Sequence, residues 1–261
     1  MVEFRSFGRT GWASSWPLDP QAPTLLLVHC AGFNSSLWLP VVRSGVLSGQ
    51  WLAVDLPGHG QSELAARETV AEMAEDLRNF VEMLGLREVL VAGNSLGGAV
   101  TLQLLTEAPE WLKGAGLVAT GARLKVMPQI LAMVKVNYAA YIAHFMEVAL
   151  GPDADKAALR SQSQEAVESR SEVALKDFLA CNGFDLMEQL ARVQVPVVVI
   201  HGGRDQVTPL KYGEFLQQQL AQSRWVLLER AGHLLPLERP LEVAEALQGL
   251  ARELWPQQLS D

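Results

Sequence analysis

The stretch Val89-Leu90-Val91-Ala92-Gly93-Asn94-Ser95-Leu96-Gly97-Gly98 carries an apolar run into Gly-x-Ser-x-Gly and on into a helical pattern. Strand, sharp turn and helix around the serine distinguish a nucleophile elbow from a chance match to five residues. So abrupt a turn holds its central residue in a strained backbone conformation, and flanking glycines remove side chains that would crowd it. The Ser95 hydroxyl is thereby exposed. The Leu96 N–H lies at a helix N-terminus, where free donors and the positive end of the helix dipole favour an oxyanion. The competing reading is a glycine-rich βα turn with a buried serine.

A serine hydroxyl is a weak nucleophile until a base takes its proton. The chain offers five histidines. His29 and His201 end strand candidates and read as structural or loop-orienting; His59 lies in a turn-rich loop and His144 on a helical segment. His233 follows the last strand candidate after Ala231-Gly232, late enough for the order serine, acid, histidine. The acid that orients the imidazole belongs at a strand end between the two. Asp205 stands there, after the 197–201 run, whereas the other such position reads Thr120-Gly121-Ala122-Arg123 and holds no carboxylate. A loop-capping aspartate is the competing reading. Ser95, Asp205 and His233 together describe attack on an acyl carbonyl through an acyl-enzyme.

These side chains need a sheet edge on which to meet. Apolar runs at 24–29, 51–55, 89–93, 115–119, 197–201 and 225–228 alternate with helical patterns at 69–84, 95–107, 210–220 and 241–254. The alternation predicts an α/β fold, a mostly parallel sheet flanked by helices, its strands buried on both faces. An N-terminal hairpin is expected from 2–7 and 12–16. From 122 to 190 only helical patterns occur, with 130–150 reading as one amphipathic helix and breaks at Gly151-Pro152 and Asn182-Gly183. That is longer than a crossover requires. It reads as a helical lid, 122–190, inserted before the last two strands of a core formed by 1–121 and 191–261. The lid would cover the C-terminal strand ends, where open α/β sheets bind ligands; the alternative is helices that only cover a sheet face.

Phe33, Val207 and Leu234 adjoin the reactive positions and are the expected pocket lining. Met127, Met133, Tyr138, Tyr141, Phe145 and Met146 could form an apolar ceiling, with Tyr138 and Tyr141 as pocket residues, although such a stripe describes packing equally well.

Five fragments occur in order. They are His29-x-x-Gly32 with Ser35-Ser36-x-Trp38, Asp-Leu-Pro-Gly-His-Gly-Gln-Ser at 55–62, Gly-Asn-Ser-Leu-Gly-Gly at 93–98, Val195-Pro196 leading to Gly203-Arg204-Asp205, and Ala231-Gly232-His233. With them the chain resembles the α/β-hydrolase family, specifically its cap-bearing esterase-like members, over nearly its whole length. The resemblance implies the α/β-hydrolase fold, cleavage of a carboxylic ester (or a thioester or lactone), and the Ala31 N–H as second oxyanion donor beside Leu96. One position departs: the family usually has glycine after the first histidine, and this chain has Cys30. If that position requires a positive φ, cysteine is strained there. Without the Cys-His-Asn order of thiol hydrolases, Cys30 reads as a small buried apolar residue.

Gly-Asn-Ser-x-Gly-Gly is also similar to the carbon–carbon bond hydrolases of vinylogous keto acids. Where those carry tryptophans, this chain has His201-Gly202-Gly203 and Leu234. Serine at 95 departs from the dehalogenase and epoxide-hydrolase relatives, which use aspartate. A non-enzymatic ligand-binding member of the same fold is the reading from another class.

At 49% hydrophobic and 19% charged, 261 residues can bury one substantial core. A net charge of −8 without any basic run argues against nucleic acid or an anionic membrane as partner. No stretch is long and apolar enough to span a bilayer, and Met1-Val2-Glu3-Phe4-Arg5 lacks a signal-peptide layout. Two cysteines, Cys30 and Cys181, are too few for a disulfide framework. No His-Glu-x-x-His or Cys-x-x-Cys pattern marks a metal site, and no cofactor is expected. The expectation is a cytoplasmic monomer or homodimer acting on a small apolar acyl ester or thioester; Asn34-Ser35-Ser36 as a glycosylation acceptor has no meaning in that compartment.

Overall fold

The apolar runs pair into one eight-stranded sheet in the computed structural model, which describes residues 1–168 and 170–258. An antiparallel hairpin, β1 (Val2–Ser6) and β2 (Arg9–Ala13), opens the chain. There follow β3 (Thr24–Val28), α1 (Leu39–Val42), β4 (Gln50–Val54), α2 (Val70–Met83), β5 (Val89–Asn94), α3 (Leu96–Glu107) and β6 (Leu112–Val118). A helical insertion holds α4 (Pro128–Val136), α5 (Tyr138–Val148), α6 (Lys156–Gln162) and α7 (Ser171–Gly183). The chain closes with β7 (Val197–Gly202), α8 (Lys211–Gln219), β8 (Ser223–Leu228), α9 (Leu235–Glu238) and α10 (Pro240–Leu254).

The strand order is β1-β2-β4-β3-β5-β6-β7-β8, antiparallel at the β1–β2 and β2–β4 pairings and parallel thereafter. Every residue of β3, β5 and β7 is buried, because helices cover both faces and each strand must be apolar on both. On one face Leu77 and Phe80 of α2 join Leu102 and Leu105 of α3 over the sheet; on the other Val243 and Leu247 of α10 do so. The chain leaves β3 towards β4 on one side, while β5 pairs on the other. The loops after β3 and β5 therefore diverge, and a crevice opens at their C-terminal ends.

Three expectations shift. The second hairpin strand begins at Arg9 rather than 12, because Phe7 and Gly8 both take positive φ (51° and 73°) and close the turn in two residues. β6 begins at Leu112, three residues early, where Lys113 and Gly114 disguise the apolar run. The expected 130–150 helix is two helices, divided at Asn137, whose side chain accepts the Ala140 N–H (3.0 Å) and caps α5.

The start of α2 carries a capping box: Thr69 Oγ1 accepts the Glu72 N–H (3.2 Å), and the Glu72 carboxylate accepts the Thr69 N–H (3.0 Å). α2 packs along α3, the helix that begins at Leu96. Thr69→Ala is expected to lower the unfolding free energy by about 1 kcal/mol, read as an earlier urea midpoint at unchanged slope.

Candidate active site

β5 ends at Asn94 and α3 begins at Leu96, so Ser95 alone makes the turn. Its φ of 54° and ψ of −112° lie where a residue with a Cβ is strained. Three hydrogen bonds hold it there. Its N–H donates to the Val118 carbonyl (2.9 Å), and its carbonyl accepts the Ala99 N–H (3.0 Å) and the Thr120 hydroxyl (2.8 Å). A Cβ on Gly93 would run into the Gly97 carbonyl, and one on Gly97 into the carbonyls of Val28 and His29. The Ser95 side chain does not cap α3. Among the described residues the Leu96 N–H finds no acceptor, so it remains one of the helix's open donors.

Asp205 sits in the loop after β7 with both carboxylate oxygens engaged. Oδ1 accepts the N–H groups of Val207 and Thr208 (2.8 Å each), and Oδ2 accepts the Thr208 hydroxyl (2.7 Å) and the His233 Nδ1–H (2.8 Å). Thr208 was not singled out from the sequence. Its Oγ1 lies 3.1 Å from His233 Nδ1 and 3.0 Å from the Ala119 carbonyl, so it joins acid, base and β6. His201 is loop-orienting: its Nε2–H donates to the Thr208 carbonyl (2.8 Å). Burial pushes the Asp205 carboxyl up, but His233, the Thr208 hydroxyl and His201 outweigh it, and the net direction is below the usual carboxylate range.

With Nδ1–H committed to Asp205, the Nε2 of a neutral His233 ring carries the lone pair. His233 and Ser95 line the same cleft. The histidine's backbone is held from three directions. Its N–H donates to the Ala149 carbonyl (2.6 Å), and its carbonyl accepts from Asn94 Nδ2 (3.3 Å). The Glu238 carboxylate accepts the N–H of the preceding Gly232 (3.0 Å) as well as that of Gly151 (2.7 Å).

Ala31 follows β3 on the opposite wall, and among the described residues its N–H also lacks an acceptor. Cys30 is free of the strain its position raised. The left-handed residue of this loop is Gly32 (φ 70°), and Cys30 keeps an ordinary negative-φ backbone. Its buried thiol is pushed well above its ordinary value by desolvation, which keeps it protonated and unreactive.

The cleft encloses about 480 Å³, its open mouth included, and is mostly apolar, with Leu124, Val126, Phe145, Phe178, Cys181 and Tyr212 on its walls. Of the five expected pocket residues only Val207 lines it. Phe33 and Leu234 have no exposed surface: the Phe33 ring packs against Phe145 (6.2 Å between centroids), and Leu234 precedes α9 inside the core. Tyr141 stands behind Phe178 (5.2 Å) and Tyr138 stacks on Tyr141 (6.1 Å), so both back the lining rather than form it. Met127 and Met133 are 65% and 36% exposed, because α4 buries only Val134. Leu124 and Val126 were missed because they lie on an irregular stretch after β6, where no periodicity marks a face. His144 is exposed. Among the described residues no helix is long and apolar enough to cross a membrane, and no group of three or more His, Cys, Asp and Glu is placed to hold a metal ion.

Residues 25–246 match the family model described as "Alpha/beta hydrolase family". The chain is 29% identical over 241 residues to the pimeloyl-(acyl-carrier protein) methyl ester esterase of Neisseria meningitidis serogroup B, covering 87% of this chain and 90% of that protein. It is 30% identical over 257 residues to carboxylesterase YbfK of Bacillus subtilis, covering 90% and 81% respectively. A solved thermophilic esterase superposes with a TM-score of 0.78 at 28% identity, covering 97% of this chain and 98% of that one.

A carboxyl whose folded pKa is depressed stabilises the fold above its unfolded value, near 3.8, and that contribution is lost as pH falls through the folded pKa. The stability gap between wild type and Asp205→Asn, read by urea unfolding, is therefore expected to be full at neutral pH and to close at strongly acid pH.

Proposed function

From the chain's membership of the alpha/beta hydrolase family, as a hydrolase acting on ester bonds, we propose that Ser95, His233 and Asp205 are its catalytic triad and that Ala31 and Leu96 form its oxyanion hole. Ser95 Oγ attacks the acyl carbon while His233 Nε2 takes the hydroxyl proton. The carbonyl electron pair moves onto oxygen, which accepts from the Ala31 and Leu96 N–H groups. His233 then gives its proton to the leaving alkoxide, and water repeats the sequence on the acyl-enzyme. Asp205 holds the Nδ1–H and stabilises the imidazolium. Each oxyanion donor contributes roughly 3 kcal/mol to the barrier reduction.

One observation carries this reading. The Asp205–His233 hydrogen bond of 2.8 Å leads into the cleft that holds a strained Ser95, whose hydroxyl and whose two neighbouring amides, Ala31 and Leu96, have no partner among the described residues. The strain is kept by three bonds, two from the end of β6 and one from α3, an arrangement typical of a functional constraint.

The substrate we favour is a carboxylic ester with an uncharged acyl group of small to medium size, because the walls beside Ser95 are Leu124, Val126, Phe145 and Phe178. The helices between β6 and β7 act as a lid over it. A small alcohol would leave, in keeping with the methyl ester in the name of the Neisseria relative.

Ser95→Ala is expected to abolish labelling by a fluorophosphonate probe and to lower kcat on p-nitrophenyl esters by about 10⁴-fold or more. In wild type, kcat/KM across an acyl chain-length series should peak at short chains. Retained turnover in Ser95→Ala sinks the triad assignment, and a peak at long chains sinks the small-acyl assignment.

A further inference from the structure

His59, in the turn-rich loop after β4, and Asp177, which nothing in the sequence marks, meet in the protein interior. Asp177 lies on α7 of the insertion, fully buried, and its Oδ2 accepts both the His59 Nε2–H (2.8 Å) and the Gly32 N–H (2.8 Å). Gly32 is the left-handed residue next to Ala31, and its carbonyl accepts the Glu168 N–H (2.8 Å) from the same insertion. The two peptide units that flank Gly32, one through its N–H and the other through its carbonyl, are thus each held by the insertion.

The ring contacts fix the charge of the pair. His59 Nδ1 faces the Pro57 carbonyl (3.2 Å) and Nε2 faces the Asp177 carboxylate. Neither partner can donate, so filling both bonds requires both ring nitrogens to carry protons. His29, whose ring centroid lies 4.7 Å away, is the opposite case: its Nε2 accepts the Leu56 N–H and its Nδ1–H donates to the Cys30 carbonyl, which defines a neutral tautomer. Burial and the charge of His59 push His29 down to about 4.

We propose that Asp177 is a positioning residue for ester hydrolysis, fixing the Ala31 N–H through its hold on Gly32, and that the His59 imidazolium keeps the Asp177 carboxylate in that place. The proposal rests on the acyl-transfer reading above and deepens it, since it makes the oxyanion hole depend on the lid. A carboxylate buried at this depth is costly without a positive partner, so loss of the His59 proton loosens the hold.

The groups around His59 come from several elements. Asp177 is on α7, Glu168 and its partner Arg170 precede α7, His29 follows β3 and Asp55 follows β4; Tyr138 and Cys30 flank the carboxylate. Burial pushes His59 down, but the Asp177 charge and hydrogen bond, Glu168 and the Pro57 carbonyl outweigh it, and the net direction is up. A histidine raised in the folded state stabilises fully below its unfolded value of 6.5, and the contribution is lost as pH rises through the raised value. The alkaline side is therefore where the hold weakens.

Wild type, Asp177→Asn and Asp177→Ala are compared by p-nitrophenyl ester kinetics across the neutral to alkaline range, with folded protein counted by fluorophosphonate labelling at saturation. The expected result is a kcat loss of roughly 10-fold in Asp177→Asn, which keeps an acceptor for Gly32, and roughly 100-fold in Asp177→Ala, at KM within about threefold. The alkaline fall of wild-type kcat should vanish in Asp177→Asn. Unchanged kcat in both variants, a loss carried by KM alone, or a surviving alkaline fall in Asp177→Asn overturns the proposal. If Asp177→Ala does not fold, Asp177→Asn alone decides. A wild type that neither labels nor turns over esters overturns the acyl-transfer reading and this proposal together, whereas an active wild type beside fully active variants overturns this one alone.

Discussion

The backbone of Ser95 is the constraint around which the molecule is arranged. A left-handed φ on a residue with a Cβ persists only where surrounding bonds determine it, and here they come from β6, from α3 and from the Thr120 side chain. Those bonds require β5 and β6 to be adjacent and parallel, with Ser95 the one residue between the strand and α3. The glycines at 93 and 97 follow from the same closeness. The serine in this conformation does not cap its helix, and the Leu96 amide, in the first turn, has no acceptor among the described residues.

Electrostatics adds a second layer. Among the described residues two buried Asp–His hydrogen bonds occur, Asp205–His233 and Asp177–His59, with the same Nδ1 or Nε2 to carboxylate spacing of 2.8 Å. Their surroundings separate their behaviour. His233 has one nitrogen on its carboxylate and lines the cleft, an arrangement that leaves its other nitrogen available for the proton transfer proposed above. Both nitrogens of His59 are committed to acceptors, which suits a fixed charge and not a shuttle.

Much of this was legible in the chain. Ser95, Asp205 and His233 could be read because each stands at the end of an apolar run, and a parallel sheet brings those ends to one edge. Thr208 could not, since a threonine three residues past an acid looks like any turn residue until the fold brings Ala119 and His233 beside it. The pocket failed for a related reason. Adjacency to a reactive residue suggested Phe33 and Leu234, but in a buried turn consecutive side chains diverge, and both point into the core. Asp177 sits on a helix whose charges otherwise face solvent, and only the burial of position 177 sets it apart.

His233 follows β8, the outermost strand, whose residues are all only partly buried or exposed. An edge strand of this kind is where native-state hydrogen exchange finds the lowest opening free energies. The ties to Asn94, to Ala149 and, through Gly232, to Glu238 bypass that strand altogether. Amides of β8 can therefore exchange through local opening while the imidazole keeps its place in the cleft it shares with Ser95, and the position of His233 is decoupled from the fraying of the sheet that delivers it.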